Sequence, residues 1–526
     1  MKVFEKIVLE LAERANQFKT SQDLAKFKNQ SAKKYQIEIP SNIQLFKAYH
    51  RLVWQKKLKK SETIEKILKK RPVRSLSGIV NVSVLTKPFQ CPGKCVYCPF
   101  VADLPKSYLP KEPAVDRAVK LGFDPFQQTE YRIQTLASEG HSTDKIDLRI
   151  IGGTWSFYPA RYQTWFVKRC FDAANQKTSR SLAQAQKFNE KAKQRIIGIS
   201  IETRPDFINQ QEVKRLRKLG ITRVELGVQS IYDEVLIKNN RGHLVGATIK
   251  ATKLLKDAGF KICYQMMPNL MGSDLKKDEQ MFKELFSNPD FQPDYLKIYP
   301  CLVLKEARLY ESWKKGEHQA YSDRQLKNLI KKIKKRIPAY VRIQRIIRDI
   351  PAEYIVAGGK ISNLRQVIHQ EMKKEGWQCQ CVRCREVGKD YNPKEKAYLF
   401  RQDYSGSGGK EIFLSFENKP RTKLFSFLRL RIPSQVFSNK KHFLPALEDS
   451  AVIREVQTVG QATGIGAIKL SPQHRGLGKK LIAEAEKICQ KEFGLNRISV
   501  IAGIGAREYF RKLGYRLNQT YLVKNF

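Results

Sequence analysis

Between residues 79 and 346 one pattern recurs: short, almost continuously apolar runs alternate with amphipathic stretches. The runs are IVNVSVL (79–85), IDLRII (146–151), RIIGISI (195–201), TRVELGV (222–228), FKICYQM (260–266), DYLKIYP (294–300) and YVRIQRI (340–346). Such runs are typical of strands that are buried on both faces. Helical patterns at Gln211–Leu219 and Ala247–Ala258 lie between them. Repeated strand–helix units predict a parallel sheet in a complete or partial α/β barrel, with its chemistry at the carboxyl ends of the strands.

The chain is long enough for about two to four domains, each with its own core. We expect a basic helical segment at 1–78, the barrel at 79–351, a polar connector at 352–394 and an α+β domain at 395–526. The last part begins with short alternating strands, continues with a helix at Lys479–Glu492 and ends with a strand, a helix and a strand.

The charge balance is strongly basic, with 98 Lys and Arg against 51 Asp and Glu and a net charge of +47. This excess favours a polyanionic partner, with nucleic acid as the first candidate and an anionic membrane surface as the second. A general basic bias that serves solubility is the alternative. No apolar run approaches the ~18 residues of a membrane span, and the amphipathic, acid-containing amino terminus differs from a signal peptide. We therefore expect a cytoplasmic protein.

Positive charge is concentrated near the amino terminus, where residues 1–80 contain 19 Lys and Arg and 7 Asp and Glu. Lys and Arg contacts to backbone phosphates would hold an RNA partner there. The candidate RNA-binding residues are Lys56, Lys57, Lys59, Lys60, Lys69, Lys70 and Arg71.

Three cysteines, Cys91, Cys95 and Cys98, lie in the string CPGKCVYC directly after the first predicted strand. Zinc prefers four ligands, and no fourth candidate is close in sequence. Three thiolates suit a 4Fe–4S cluster that leaves one iron open to a small chelating ligand. A zinc loop is the alternative.

A second group, CQCVRC, supplies Cys379, Cys381 and Cys384 in the connector. This trio is one ligand short of a tetrahedral zinc site. Cys301 at the end of a barrel strand is our first candidate for the fourth ligand, and His369 is the second. Three free thiols in a loop are the alternative.

The last domain contains a glycine-rich helix start, formed by Gln473, His474, Arg475, Gly476, Leu477 and Gly478. The glycines free backbone N–H groups to face a diphosphate, and the helix amino terminus adds partial positive charge. A strand precedes this motif, while a further strand and the string REYFRKLGY follow it. The sequence therefore predicts a site for a diphosphate-containing ligand.

The C-x3-C-x2-C spacing resembles the signature of the radical S-adenosylmethionine (SAM) superfamily. The resemblance implies that the cluster passes one electron to SAM, which breaks to methionine and a 5′-deoxyadenosyl radical. It also implies that Gly152, Gly153 and Thr154 contact the SAM amino group, where two glycines let a ligand approach the backbone. Glu202 would bind a ribose hydroxyl, and Gln229 would contact SAM or the substrate.

The last domain resembles the GNAT acetyltransferases, which implies that it binds acetyl-CoA. In that superfamily a tyrosine of the last helix often protonates the CoA thiolate. Spacing puts Phe510 in its place here, flanked by Tyr509 and Tyr515. Phenylalanine has no proton to give, so we expect acetyl-CoA to serve as a bound reagent, with Tyr509 as the candidate catalytic tyrosine.

From residue 70 to 526 the chain resembles the family of the Elongator catalytic subunit in its single-chain prokaryotic form, through strings such as LTKPFQCPGKCVYCP, ISIETRPD, LGVQSIYDEV and REVQTVG. The resemblance implies that a SAM-derived radical takes hydrogen from the methyl group of acetyl-CoA, that the carbon radical adds to C5 of the tRNA wobble uridine, and that hydrolysis leaves 5-carboxymethyluridine. Lys297 and Tyr299 would face this site. It further implies an electron donor, and we also expect a homodimer.

Two other classes of function compete with this interpretation. One is a protein-lysine acetyltransferase in which the iron–sulfur cluster is only structural. The other is a non-catalytic RNA-binding scaffold. The two complete cofactor motifs argue against both.

Overall fold

The computed structural model describes residues 2–18, 20–69, 77–388, 391–460, 472–473 and 475–526. Of the predicted site residues, Lys70, Arg71 and His474 lie outside these ranges. Among the described residues, no helix combines the length and apolar character that crossing a bilayer would require.

Four amino-terminal helices pack around a small apolar core. They are α1 (Val3–Glu13), α2 (Ser21–Tyr35), α3 (Asn42–Trp54) and α4 (Glu62–Leu68). The side chains of Thr20, Ser41 and Ser61 accept hydrogen bonds from backbone N–H groups in the first turns of α2, α3 and α4, which fixes where these helices begin. The basic segment is therefore a folded helical unit.

Seven parallel strands form the central sheet, in the order β1-β2-β3-β4-β5-β6-β8. The strands are β1 (Val80–Leu85), β2 (Lys145–Ile151), β3 (Arg195–Thr203), β4 (Arg223–Gln229), β5 (Lys261–Met266), β6 (Tyr295–Ile298) and β8 (Arg342–Ile346). In the described part of the chain β1 and β8 do not pair, so the barrel is partial. All seven predicted runs coincide with these strands.

Helices connect the strands of this sheet. They are α5 (Pro113–Lys120), α6 (Pro125–Ser138), α7 (Ala160–Asn175), α8 (Leu182–Asn189), α9 (Gln210–Leu219), α10 (Asp233–Lys238), α11 (Val245–Asp257), α12 (Leu275–Ser287), α13 (Leu309–Lys314) and α14 (Asp323–Arg336). Between β6 and β8 lies β7 (Val303–Leu304), which pairs with β9 (Ile355–Ala357) from the segment after the barrel. There α15 (Leu364–Lys374) and α16 (Val382–Arg385) follow.

The carboxy-terminal part is a second seven-stranded sheet, in the order β10-β11-β12-β13-β14-β16-β15. Its elements are β10 (Tyr398–Gly406), β11 (Gly409–Glu417), β12 (Leu424–Ile432), α17 (Ser434–Ser438), β13 (Ala451–Thr458), α18 (Leu477–Phe493), β14 (Arg497–Val500), α19 (Arg507–Arg511), β15 (Arg516–Asn518) and β16 (Tyr521–Asn525). The one parallel pair, β13 with β14, is paired only from Ala451 to Ile453. Beyond Ile453 the two strands part, which opens a gap in the sheet.

The second sheet covers the amino-terminal end of the barrel. The Tyr521 hydroxyl donates to the carbonyl of Ala258, just before β5, at 2.8 Å. A Cβ on Gly503 would lie 2.0 Å from the carbonyl oxygen of Ile197 in β3, so only glycine permits this approach. Buried ion pairs reinforce the junction, among them Arg431 with Asp257 at 2.6 Å. The two sheets therefore form one continuous body.

Candidate active site

The first cysteine group lies at the carboxyl end of β1, as predicted. A Cβ on Gly93 would lie 3.6 Å from both Cys91 Sγ and Cys95 Sγ, so the two sulfurs face one common space that a side chain would fill. The three sulfur atoms are not all within 4.8 Å of one another. This wider spacing suits a cluster of several metal ions better than a single ion.

Arg241 contributes a positive charge to this loop, because its Nη1 lies 3.5 Å from Cys95 Sγ. Burial alone would raise the pKa of the Cys95 thiol, but the Arg241 guanidinium lowers it below its ordinary value. Burial raises the pKa of the Cys98 thiol to about 12. Cys95 is therefore the thiol that this environment favours as a thiolate before a metal binds.

The cysteine loop opens into a cavity of about 460 Å³ at the carboxyl ends of the strands. Most predicted site residues of the barrel line this cavity: Cys91, Cys95, Cys98, Gly153, Thr154, Glu202, Gln229, Lys297 and Tyr299. The fold thus brings together residues that lie more than 200 positions apart in the chain.

The Gly152–Gly153 turn holds the end of β2 against β1. Gly152 adopts a φ of +122°, and a Cβ there would lie 2.2 Å from Thr86 Oγ1. This turn places Thr154 Oγ1 4.0 Å from Cys91 Sγ. The predicted glycines therefore allow the chain to turn beside the cysteine loop.

Gln229 has two features that point to a ligand. It is buried and has a φ of +71°, in the left-handed region that non-glycine residues rarely adopt. Its Oε1 is buried without a hydrogen-bond partner among the described residues. Strained backbone and unmatched polar atoms of this kind are concentrated at functional sites, and an amide oxygen would accept from a ligand amine or hydroxyl. The residues present therefore fit a polar ligand such as SAM beside the cluster.

Lys297 is ion-paired on both sides. Its Nζ lies 2.9 Å from Glu202 Oε1 and also contacts Glu225. Burial alone would lower the pKa of Lys297, but the Glu225 carboxylate holds this pKa well above its usual range. Lys297 is therefore a fixed cation and not a free base. Its Nζ lies 5.8 Å from the centre of the Tyr299 ring.

Several further cavity residues support the predicted ones, and of these only Glu225 stood in a predicted strand-end run. The Tyr108 hydroxyl donates to Glu202 Oε2 at 3.1 Å, and Gln265 Nε2 donates to Glu202 Oε1 at 2.9 Å. Glu225 ends within the same ion-paired group as Lys297. Arg241 was missed because nothing in its local sequence links it to the cysteine loop. Gln265 lies near the end of β5, and this strand-end position is the signal that could have identified Gln265.

The glycine-rich motif of the last domain opens α18. Gly476 is the residue before the helix, with a φ of +73°, and the first N–H groups of α18 have no partner inside the helix. A Cβ on Gly478 would lie 3.3 Å from the Tyr509 hydroxyl. Among the described residues, the helix start therefore presents backbone N–H groups, with the Tyr509 hydroxyl beside Gly478.

Not all motif residues face this helix start. Gln473 Nε2 donates to the carbonyl of Thr458, and its Oε1 accepts from Lys145 Nζ at 2.8 Å. Gln473 thus joins β13 to the beginning of β2. Arg475 Nη1 donates to the Tyr391 hydroxyl at 3.0 Å, and Leu477 is buried.

The three aromatic residues near the carboxyl terminus have different surroundings. Phe510 is buried and lines a second cavity. The Tyr515 hydroxyl donates to Glu486 at 2.8 Å and so faces away from the start of α18. Tyr509 is the tyrosine beside Gly478, and burial raises its pKa.

This second cavity, of about 690 Å³, lies between the barrel and the carboxy-terminal sheet. Its walls include Val456 and Ile501 where β13 and β14 part, and Asp147 and Arg223 of the barrel interior. Ser83, Arg132 and Arg149 line both cavities. The second cavity therefore adjoins the first one inside the barrel.

The second cysteine group is compact, since the sulfurs of Cys379, Cys381 and Cys384 all lie within 4.8 Å of one another. The fourth ligand that we predicted is not there. Cys301 lies at the carboxyl end of β6, in an apolar cluster with Cys95, whereas the N–H of Val382 bonds to Val341 at the amino end of β8.

His369 is exposed on α15 and is not part of the cysteine group either. Lys334 Nζ approaches Cys384 Sγ to 3.4 Å instead. Within the described residues, the group therefore offers three thiols and a neighbouring cation.

The basic amino-terminal residues lie far from the cysteine loop. Lys56, Lys57, Lys59 and Lys60 are exposed, and Lys69 is half-buried. The helical unit meets the barrel near Gly140, where a Cβ would lie 2.9 Å from the ring of Phe46. Because this contact precedes β2, the unit lies at the amino end of the barrel.

Comparison with known proteins gives consistent matches. Residues 88–285 match the model of the radical SAM superfamily, and residues 293–374 match the radical SAM C-terminal domain. The chain is 47% identical to the tRNA uridine(34) acetyltransferase of Methanocaldococcus infernus, over 87% of this chain and 88% of that protein. It is 39% identical to human Elongator complex protein 3, over 87% of this chain and 86% of that protein.

A solved structure agrees with these sequence matches. The archaeal Elp3 of Methanocaldococcus infernus, with residues 1–46 deleted, superposes with a TM-score of 0.76 at 44% identity, covering 86% of this chain and all of that one. These matches therefore extend over most of this chain and most of each relative. The chain belongs to the radical SAM family that contains the tRNA uridine(34) acetyltransferases and Elongator complex protein 3.

Proposed function

We propose that this protein modifies tRNA, using a SAM-derived radical and acetyl-CoA to install a carboxymethyl group at C5 of the wobble uridine. One observation carries the proposal: the cavity at the cysteine loop and the cavity at the carboxy-terminal sheet share the wall formed by Ser83, Arg132 and Arg149. A ligand in either cavity would therefore be close to a ligand in the other. The names of the relatives support tRNA as the substrate.

The residues of the first cavity fit a 4Fe–4S cluster and SAM. Cys91, Cys95 and Cys98 would ligate three irons, while Thr154 and Gln229 would hold SAM through its polar groups. When bound, these groups supply a carbon radical that abstracts hydrogen. Arg241, close to Cys95 Sγ, would partly offset the negative charge of the thiolates.

Acetyl-CoA would bind at the start of α18. The free N–H groups there, with Gly476 and Gly478, would receive the diphosphate. The gap between β13 and β14 would admit the thioester arm into the second cavity, toward Arg149. Tyr509 is the nearest phenol to this helix start and is our candidate proton donor to the CoA thiolate.

Lys297 would position the reacting groups. The Lys297 ammonium group, held between Glu202 and Glu225, can donate a hydrogen bond to a carbonyl oxygen in the first cavity. Tyr299, beside it, would contribute its hydroxyl as a second polar group. Because the cavity lies inside the barrel, a radical formed there would be shielded from water.

The wider setting follows from this chemistry. The exposed lysines of the helical unit would contact tRNA phosphates, and an electron donor would reduce the cluster in the cytoplasm, with the protein acting as a homodimer. The compact cysteine trio at Cys379, Cys381 and Cys384 would hold zinc, with water as its fourth ligand.

The test is anaerobic reconstitution with iron and sulfide, followed by incubation with SAM, acetyl-CoA and bulk tRNA and by nucleoside mass spectrometry. We expect 5-carboxymethyluridine only when all three are present. Product formed without SAM would contradict the radical route. Acetylation of lysine peptides without SAM would support the alternative acetyltransferase, for which the comparisons give no support.

A further inference from the structure

A connected set of aromatic side chains lies beside Gly153, which lines the first cavity: a Cβ on Gly153 would lie 3.9 Å from the Tyr158 hydroxyl. We call Phe89, Phe157, Tyr158, Tyr162, Trp165 and Phe207 the aromatic rim. Ring centres are 5.9 Å apart for Phe89 and Phe157 and 4.9 Å for Phe89 and Tyr158. Tyr158 and Tyr162 stack at 5.1 Å. The rim therefore forms one connected aromatic surface and not a set of isolated rings.

Part of this surface faces solvent. Phe89 and Phe157 are each 37% exposed, and Trp165 is 43% exposed. Beneath them Tyr158 is only 4% exposed. Exposed aromatic patches are costly in water and often mark binding sites.

The rim is held rigidly. The Tyr158 hydroxyl donates to the carbonyl of Lys87 at 2.9 Å, and the N–H of Lys87 donates to the Tyr162 hydroxyl at 3.1 Å. These bonds fix the backbone that leads from β1 into the cysteine loop. A ligand that binds the rim would therefore not have to order it first.

The rim residues follow or precede cavity-lining residues closely in the chain. Phe89 lies two residues before Cys91, and Phe157 three residues after Thr154. Phe207 follows Arg204, which lines the cavity, by three residues. The rim thus follows the carboxyl ends of β1, β2 and β3, where a substrate must pass.

Cations border the aromatic surface. Lys87 Nζ lies 5.3 Å from the centre of the Tyr162 ring, and the Arg204 guanidinium lies 5.9 Å from the centre of Phe207. Arg204 is also paired with Asp206 at 2.8 Å. Arg161 is exposed on the same helix as Tyr162 and Trp165. Aromatic faces with flanking cations are the composition that binds single-stranded nucleic acid.

We propose that the aromatic rim stacks the unpaired bases next to the uridine that enters the cavity. The inference rests on the proposed function, because it names where the RNA loop of that reaction would bind. A base that enters the cavity must leave its stack, so its neighbours lose a stacking partner. Phe89, Phe157 and Trp165 would replace that partner, and Lys87 and Arg161 would contact the phosphates.

The test uses an anticodon stem–loop RNA with 2-aminopurine beside the wobble uridine. Phe89→Leu combined with Phe157→Leu keeps apolar volume but removes the ring faces. We expect affinity to fall about tenfold or more, because each removed ring is a lost stacking partner, and we expect the quenching of 2-aminopurine to be lost. Phe157→Trp should retain both affinity and quenching.

Phe437→Leu is the matched control, because Phe437 is 54% exposed and packs edge-on against Phe493 in the carboxy-terminal domain. It should leave affinity unchanged. If the wild-type protein binds the RNA and the double variant binds and quenches equally well, the rim is not a stacking surface. If the wild-type protein does not bind the RNA at all, the proposed function fails together with the rim.

Discussion

Arg454 Nη1 donates to Asp294 Oδ1 at 2.9 Å, across the junction between the carboxy-terminal sheet and the barrel. Burial alone would raise the pKa of Asp294, but the Arg454 guanidinium lowers it to about 2. Both side chains are fully buried, so this pair contributes to the continuity of the two sheets.

The ion pair makes stability depend on pH. Because the pKa of Asp294 is below its unfolded value of 3.8, its contribution is full above about pH 4 and is lost as pH falls toward 2. We expect the free energy of unfolding to drop by about 2 kcal/mol over that range from this group. Denaturant titrations at several pH values measure it. Asp294→Asn should flatten the dependence of the free energy of unfolding on pH. The same change at an exposed position, Asp403→Asn, should not.

Replacement of Cys95 should remove the cluster without unfolding the protein. Cys95→Ser lacks the soft thiolate beside Arg241, so we expect loss of the brown absorbance, of the reduced-cluster spin signal and of deoxyadenosine formation. RNA binding should persist. Cys170→Ala, at a buried cysteine of α7, is the control and should keep all three signals. Normal deoxyadenosine production by Cys95→Ser would refute the assignment of this loop.

Lys297→Met tests the fixed cation. The change leaves the buried Glu225 carboxylate without its main partner, so we expect the pKa of Glu225 to rise and stability to fall by about 3–5 kcal/mol. The double variant Lys297→Met with Glu225→Gln should recover stability but not nucleoside product. If product returns with stability, Lys297 has only a structural role. Urea unfolding and nucleoside mass spectrometry separate the two readouts.

Gly478→Val should block acetyl-CoA at the start of α18. Any Cβ there lies close to the Tyr509 hydroxyl, and the larger side chain would fill the space before the free N–H groups. We expect CoA affinity by calorimetry to fall at least tenfold. Gly246→Ala is the matched control, because it lies in the first turn of α11 with open space around its Cβ position. Equal affinity in the Val variant would remove the diphosphate site.

Replacing single cysteines should show that the two cysteine groups bind different metals. We expect the purified protein to contain about one zinc per chain, and Cys381→Ser to lose it while the iron content stays the same. Cys301→Ser should keep the zinc, because Cys301 lies at the other end of the strands. Elemental analysis gives both metals in one measurement. A zinc content unchanged by Cys381→Ser would contradict the site.

The strands of the barrel were predictable because both of their faces are buried. In the run TRVELGV even Arg223 and Glu225 point into the barrel, and all residues of β4 are buried. The position of Cys91, Cys95 and Cys98 was predictable for a related reason: the loop after a parallel strand opens at the carboxyl end of the sheet.

Contacts that depend on the closed fold were not predictable. Cys301 and Cys381 look equally available in the sequence, but β6 carries one to the carboxyl end while the connector returns the other to the amino end. Gln473 belongs to a ligand motif, yet its side chain joins β13 to β2. Arg241 lies beside Cys95 because α10 and the turn after it fold back over the loop, which no local pattern records.

The wall shared through Ser83, Arg132 and Arg149 has a consequence for how such a protein can be divided. Each half contains its own motif, but the second cavity is lined by residues of both halves. Expressed as separate fragments, each half would lack the walls that the other supplies to the second cavity, so under the proposed function we expect neither fragment alone to form the modified nucleoside.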